Sequence, residues 1–223
     1  MRRVGQGASV TLGTACRLAV AASAATLSCH AQAASWDESL QGEASGDRWA
    51  PTLLLFDVAG TAANGEPGHN VVSGRIGRDA SGVVDRDYFR FVVPEGFALA
   101  ELRVGQQTQF GGNGSFIGIA AGPVMPVLAD ATTAAGLLGW RVTGPLDRGS
   151  NILDDMALAG NGASGFAGTL GAGEYSVWLQ ELAAGSFVYR YNFVLSPVPE
   201  PAWITLMAFG LCLLRRAQRR VQG

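Results

Sequence analysis

The sequence predicts an all-β fold for the central part of the chain, an antiparallel two-sheet sandwich or jelly roll. Apolar and polar side chains alternate in short runs, most clearly over residues 187–195, as expected for strands with one buried face. Glycine makes up 31 of the 223 residues, roughly double the usual share of about 7%, which indicates many turns. Helical patterning is confined to one or two turns near residues 129–137 and 152–158.

The predicted strands follow one another at short intervals along the chain. Residues 88–93, 174–180 and 187–195 alternate most clearly, and weaker candidates are residues 53–58, 71–76, 99–104, 115–120, 138–142 and 166–170. Turn-forming sequences separate the strands, among them Pro94-Glu95-Gly96. Because each strand has a single apolar face, two packed sheets are the arrangement that best buries those faces.

Residues 1–33 have the pattern of a secretory signal peptide. Arg2 and Arg3 supply positive charge, and residues 18–27 form an apolar run. Ala31 and Ala33 then provide the small residues that a signal peptidase requires. Ten apolar residues at about 1.5 Å each cover only about half of a ~30 Å hydrocarbon core, too little for a lasting membrane span. This segment therefore predicts export across the inner membrane, with signal peptidase as a partner.

Residues 197–223 form a three-part tail. The proline-containing motif Val198, Pro199, Glu200 and Pro201 is followed by a short apolar helix and then by arginines that would stop the helix at the cytoplasmic face. The apolar helix contains Trp203, Ile204, Leu206, Phe209, Leu211, Leu213 and Leu214, and the arginines are Arg215, Arg216, Arg219 and Arg220. Residues 201–214 would extend about 21 Å, less than a ~30 Å core, so the tail is expected to hold the protein in the membrane only transiently.

This tail resembles the sorting signal of PEP-CTERM proteins. The resemblance implies a membrane-anchored precursor that an exosortase, a membrane transpeptidase-like enzyme, processes near the Pro-Glu-Pro motif. It also implies a Gram-negative bacterium that makes exopolysaccharide, and a final location in the cell envelope or outside the cell. The alternative is that the tail permanently anchors the central domain in the inner membrane.

The central residues resemble pre-peptidase C-terminal-like sandwich domains. The resemblance rests on DRDYFRFVVPEG at residues 85–96, FIGIAAG at 116–122, LGW at 138–140 and the segment 165–181. Such domains are usually accessory modules, and the resemblance implies no catalytic residues. It extends over about residues 47–195, nearly the whole segment between the two ends.

Charge and composition exclude several kinds of function. Residues 34–196 contain 17 acidic residues and 9 arginines, a formal net charge of −8, which disfavours nucleic acid as a partner. The whole chain contains no lysine, so lysine-dependent nucleotide binding and catalysis are excluded. His69 is the only histidine and no cysteine occurs between residues 34 and 196, which excludes a zinc site built from several histidines or cysteines.

Two groups of residues are candidates for binding. Asp79, Asp85 and Asp87 lie close together before a predicted strand and could supply oxygen ligands to Ca²⁺. The alternative is that they close a turn or pair with Arg86 or Arg90. Tyr88 and Trp178 point outward from their strands in this alternation and could stack on sugar rings, as could the similar ring of Trp140. The alternative is that the sheet face that carries them is itself covered.

We therefore expect an exported, exosortase-processed structural or adhesive protein of the cell envelope or exopolysaccharide matrix, without catalytic activity or an obligatory cofactor. One alternative is a secreted polysaccharide hydrolase that uses two carboxylates, since 17 acidic residues leave such a pair open. Another is a Ca²⁺-dependent carbohydrate-binding module.

Overall fold

Nine strands and two short helices form in the residues that this computed structural model describes, 35–58, 70–112 and 114–198. The strands are β1 (Ser35–Asp37), β2 (Thr52–Leu53), β3 (Asn70–Arg78), β4 (Val84–Val93), β5 (Phe97–Val104), β6 (Ser115–Ala121), β7 (Gly139–Thr143), β8 (Gly173–Gln180) and β9 (Gly185–Pro197). The helices are α1 (Glu38–Gln41) and α2 (Leu153–Met156), and a 3₁₀ turn covers Pro145–Asp147. The predicted all-β class is confirmed.

The strands form one curled sheet in the order β5-β9-β3-β4-β8-β6-β7. All neighbours along this path pair antiparallel. The two shortest strands are exceptions to this antiparallel arrangement, because β1 pairs parallel with β3 and β2 pairs parallel with β4. Strands β3 and β4 meet at only two residue pairs, Gly77–Asp85 and Arg78–Val84. The sheet is therefore narrowly joined at this point.

An aromatic cluster forms the centre of the core. Phe91 on β4 is 0% exposed, and its ring stacks on Phe56 with centroids 4.7 Å apart. It also contacts Tyr175 at 5.6 Å and Phe193 at 5.4 Å. Phe89 and Val93 lie on the same face as Phe91 and are equally buried, as the alternation of residues 88–93 predicts.

Two predicted elements do not form among the described residues, the strand at residues 166–170 and the helix at residues 129–137. Residues 166–170 contain no strand, and Leu170 makes only an isolated bridge to Leu99. Gly168 has a φ of +74°, which extended pairing does not accommodate. Residues 129–137 contain turns and no helix, and Gly136 within them has a φ of +101°. The helix predicted at residues 152–158 is confirmed as α2, whereas only Leu53 of the strand predicted at 53–58 lies in a strand, β2.

The sheet ends where the predicted tail begins. Strand β9 ends at Pro197, and the Val198 N–H donates to the Gly96 carbonyl at 2.8 Å. Among the described residues no helix is both long and apolar enough to cross a membrane. The predicted signal peptide and the apolar part of the tail fall in residues 1–34 and 199–223, outside the described residues.

Candidate acidic site

Asp87 is a buried carboxyl group that forms no ion pair with the described arginines. It lies on the same face of β4 as Phe89 and Phe91, because side chains two positions apart point to the same side of a strand. Its side chain belongs to a residue that is 0% exposed, and neither Oδ1 nor Oδ2 has a hydrogen-bond partner among the described residues. A buried carboxylate in this state is costly unless a proton or a cation neutralises it.

Two further carboxyl groups lie against Asp87. Glu38 begins α1 and Glu43 follows that helix, and one oxygen from each of these residues and from Asp87 lies within 4.8 Å of the other two. The parallel pairing of Asp37 with Ser73 brings the start of α1 to β3. The Asp37 side chain then accepts from the Ser39 N–H at 2.9 Å and caps the helix. Residues 49 positions apart in sequence thereby meet at one point.

Gly74 makes room for this arrangement. A Cβ atom at this position of β3 would collide with the Glu38 carboxyl group and the Tyr189 hydroxyl. With glycine there, Glu38 Oε2 accepts from the Arg75 N–H at 2.7 Å. Oε1 accepts from the Ala44 N–H and from the Tyr189 hydroxyl, both at 3.3 Å. Three donors therefore fix the orientation of the Glu38 carboxylate.

Burial and like charge both act on the ionisation of these groups. Burial, reinforced by the negative charges of Glu38 and Asp85, raises the pKa of Asp87 to about 9. Partial burial and the neighbouring carboxylates Glu38 and Asp85 also raise the pKa of Glu43. Burial, followed by the charges of Asp87 and Glu38, raises the pKa of Tyr189. Without a cation, both effects favour the protonated, neutral form of Asp87.

The three aspartates considered from the sequence have different environments. Asp79 Oδ1 accepts from the Ser81 and Val83 N–H groups, both at 2.9 Å. Asp79 thus closes the turn between β3 and β4, and its hydrogen bond from the Ser81 hydroxyl is the main cause that lowers its pKa. Asp85 lies at the start of β4, where partial burial and then Glu38 raise its pKa. Only Asp87 belongs to the group of three carboxylates within 4.8 Å.

The aromatic face considered for sugar stacking is covered. Tyr88 is 3% exposed and Trp178 is 5% exposed, because residues between β6 and β7 pack over them in a second apolar cluster with members Met125, Val127, Ala134 and Leu137. Trp140 is half-buried, and its Nε1–H donates to the Gly160 carbonyl at 3.0 Å. A cavity of about 200 Å³ remains beside Trp140 and Phe116. These rings therefore belong to a core, the alternative that the sequence left open.

Except for Val198, the remaining predicted residues lie outside the described part of the chain. Of the sorting motif only Val198 is described, and it is bonded to Gly96 at the end of the sheet. His69 and the predicted signal-cleavage residues, Ala31 and Ala33, lie outside the described residues. The rest of the sorting motif, the apolar helix and the arginines that follow it also lie outside the described residues, because all of them fall in 199–223.

The arrangement is chemically suited to holding a hard cation. Carboxylate oxygens are ligands that Ca²⁺ and Mg²⁺ prefer, and the burial of Asp87 keeps it from contact with a large substrate. Sequence reasoning missed Glu38 and Glu43. The available signal was Gly74, since glycine inside a strand marks close approach by another group.

Comparison of the chain with protein families, with curated proteins and with solved structures finds no match.

Proposed function

We propose that this chain is an exported, exosortase-sorted protein with a structural or adhesive role in the cell envelope or exopolysaccharide matrix. The observation that supports the proposal is the position of the last described strand, which ends directly before the motif. A sorting segment has to follow the folded body, because the processing enzyme must reach it. Strand β9 ends at Pro197, and the Val198 N–H donates to the Gly96 carbonyl. Pro199, Glu200 and Pro201 of the motif follow directly in sequence.

The proposed route uses both ends of the chain. Residues 1–33 direct export and are removed by signal peptidase. Residues 203–214 then hold the precursor transiently in the inner membrane, with the four terminal arginines on the cytoplasmic side. Exosortase cleaves near the Pro-Glu-Pro motif, and the β domain passes to the cell envelope or the exterior, where exopolysaccharide is the expected neighbour.

Within this proposal the curled sheet is a two-layer sandwich of the pre-peptidase C-terminal-like kind. Strands β4 and β9 are separated by β3 in the sheet order, so in a flat sheet they would lie about 10 Å apart. The Phe91 and Phe193 rings nevertheless have centroids 5.4 Å apart, and Phe89 and Tyr189 are 6.4 Å apart. Such contacts support two layers that face each other and are joined at the two pairs between β3 and β4.

A binding or structural role is favoured over polysaccharide hydrolysis. A glycosidase needs two carboxyl groups that flank an accessible sugar bond. Asp87, whose pKa is raised most among the described carboxyl groups, is 0% exposed. It cannot touch a polymer without opening the core. Release of reducing sugar from matrix polysaccharide by the exported protein, above the background of a mock preparation, would overturn the non-catalytic assignment.

The sorting proposal is tested in a Gram-negative host that carries an exosortase. We compare the full chain with a variant truncated after Val198, which keeps the bond to Gly96. Glu200→Ala is compared with Gln218→Ala as a control in the same tail. We expect the mature full chain to lack the terminal arginines by intact mass. We expect Glu200→Ala to retain the terminal arginines, the truncated protein to miss the final location of the full chain, and Gln218→Ala to behave like the parent.

Two results would contradict the proposal. The first is a mature chain that retains Arg215 and Arg216 in the presence of active exosortase. The second is a truncated protein that is folded and reaches the same final location as the full chain. Circular dichroism of the truncated protein separates a sorting defect from a folding defect.

A further inference from the structure

We propose that Glu38, Glu43 and Asp87 form a binding site for a divalent cation, Ca²⁺ in particular, that fastens the N-terminal segment 35–44 to the sheet. The proposal goes beyond the sorting function and does not depend on it. It differs from the set suggested by the sequence, since Asp79 is committed to its own turn and two of the three ligands come from the segment before β2.

The spacing of the oxygens suits a single ion. One oxygen from each of the three carboxyl groups lies within 4.8 Å of the others. Calcium–oxygen distances of about 2.3–2.6 Å place two ligands on opposite sides of the ion about 4.6–5.2 Å apart. One Ca²⁺ can therefore contact all three groups after small side-chain adjustments.

Among the described residues no basic side chain pairs with Asp87, so without a cation only a proton can neutralise it. Neither of its oxygens makes a hydrogen bond of normal geometry among the described residues. The Tyr189 hydroxyl lies near both carboxyl groups and donates to Glu38 at 3.3 Å. Among the described residues, arginines form ion pairs with Glu174, Glu101, Asp147 and Asp155. None of these ion pairs involves the three acidic residues of the site. A cation would supply the missing positive charge.

The donors favour Ca²⁺ over other common metals. The ligands are carboxylate oxygens, with the Tyr189 hydroxyl beside Glu38, and such hard oxygen donors do not select Zn²⁺ or copper. They come from a helix start, a loop and a strand, so their geometry is irregular. Ca²⁺ accepts irregular sets of six to eight oxygens, whereas Mg²⁺ demands a regular octahedron and retains several waters.

Binding would link distant parts of the chain. Glu38 and Glu43 belong to the segment that contains β1 and α1, and Asp87 belongs to β4. This segment is also attached by the three-residue pairing of β1 with β3, by the contacts of Glu38 with Arg75 and Tyr189, and by the packing of Trp36 and Ala44 against the core. An ion at this position would add ligand bonds between the segment and the sheet.

The test measures metal binding by the full chain, purified in a mild detergent and stripped with EDTA. Tb³⁺ replaces Ca²⁺ as a luminescent probe, because Tyr189 lies close enough to transfer excitation energy to it, and Ca²⁺ is then added as competitor. We expect Ca²⁺ to displace Tb³⁺ and to slow hydrogen exchange of the Ala44 and Arg75 amides, both of which donate to Glu38.

Variants locate the site. Asp87→Asn is expected to abolish the tyrosine-sensitised signal, and Glu43→Gln to weaken Ca²⁺ binding at least tenfold. Glu43 is exposed, so its substitution leaves the core intact should Asp87→Asn impair folding. Asp130→Asn removes one exposed charge elsewhere and is expected to change affinity less than twofold.

Several results would overturn the proposal. They are no binding of Tb³⁺ or Ca²⁺ at millimolar concentration, Tb³⁺ binding that Ca²⁺ does not displace, or unchanged affinity in Glu43→Gln. An equal loss of affinity in Asp130→Asn would also overturn it, because it would indicate attraction to the overall negative charge. Exosortase processing is measured separately, so failure of the cation site leaves the sorting proposal standing.

Discussion

Gly74→Ala tests whether the Glu38 carboxyl group lies over β3. The added methyl group would occupy the space of that carboxyl group and of the Tyr189 hydroxyl. Tyr189 is 1% exposed and cannot move freely, so Glu38 is the group expected to be displaced. Its hydrogen bonds from Arg75, Ala44 and Tyr189 would then be lost together.

The size of the effect follows from these three hydrogen bonds. The bonds from Ala44 and Tyr189 are partly buried, and each is worth about 1 kcal/mol. The Arg75 N–H is exposed and can bond to water instead, so its loss costs about 0.5 kcal/mol. Alanine is better than glycine in a strand by about 0.5–1 kcal/mol, which offsets part of the loss. We expect Gly74→Ala to lower the free energy of unfolding by about 2 kcal/mol, which is about 1 M in the urea midpoint.

Urea denaturation followed by circular dichroism measures this change. Gly171→Ala is the control, because a Cβ there meets no atom within 4 Å, and it is expected to change stability by less than about 0.5 kcal/mol. In the Gly74→Ala background, Glu38→Ala should cost little further, since the contacts are already lost. If Gly74→Ala were as stable as Gly171→Ala, the placement of Glu38 over β3 would be refuted.

Two further outcomes are expected. Phe91→Ala removes a fully buried ring that contacts Phe56, Tyr175 and Phe193 and should cost about 3–5 kcal/mol by urea denaturation. Val92→Ala, at a neighbouring position that is 49% exposed, should cost less than about 0.5 kcal/mol; equal losses would contradict the assignment of strand faces. Burial raises the pKa of Tyr191 to about 12, so the folded state holds the phenolic proton more tightly than the unfolded state, whose pKa is about 10. The resulting contribution to the free energy of unfolding is fully present below pH 10 and is lost as the pH rises towards 12. The loss is about 1 kcal/mol between pH 10 and pH 11. Tyr191→Phe should show a smaller decline over that interval, and an unchanged decline would show that other groups cause it.

Alternation in the sequence predicts most of the sheet. Residues 88–93, 174–180 and 187–195 all lie in strands, because one side chain in two must face the core. Residues 166–170 show the limit of this reasoning. They contain apolar residues at strand-like spacing, but Gly168 has a φ of +74°, and backbone conformation at a glycine cannot be read from the pattern.

Alternation also leaves open what covers the second face of a strand. Tyr88 and Trp178 alternate with the core residues, as predicted, but the segment between β6 and β7 buries them.

The acidic site is unpredictable for a similar reason. Asp87 was considered from its position in the motif, whereas Glu38 and Glu43 reach it only through the parallel pairing of β1 with β3, a long-range contact without a local sequence signal.

The position of β9 has a mechanical consequence. This strand is bonded to β3 through eight residue pairs and to β5 through seven, and it leads directly into the tail. A pull on the tail along the axis of β9 would load the hydrogen bonds of both ladders in shear, so that many must break at once. A tether at this end would therefore meet high resistance, whereas the three pairs of β1 at the other end of the described body could yield first.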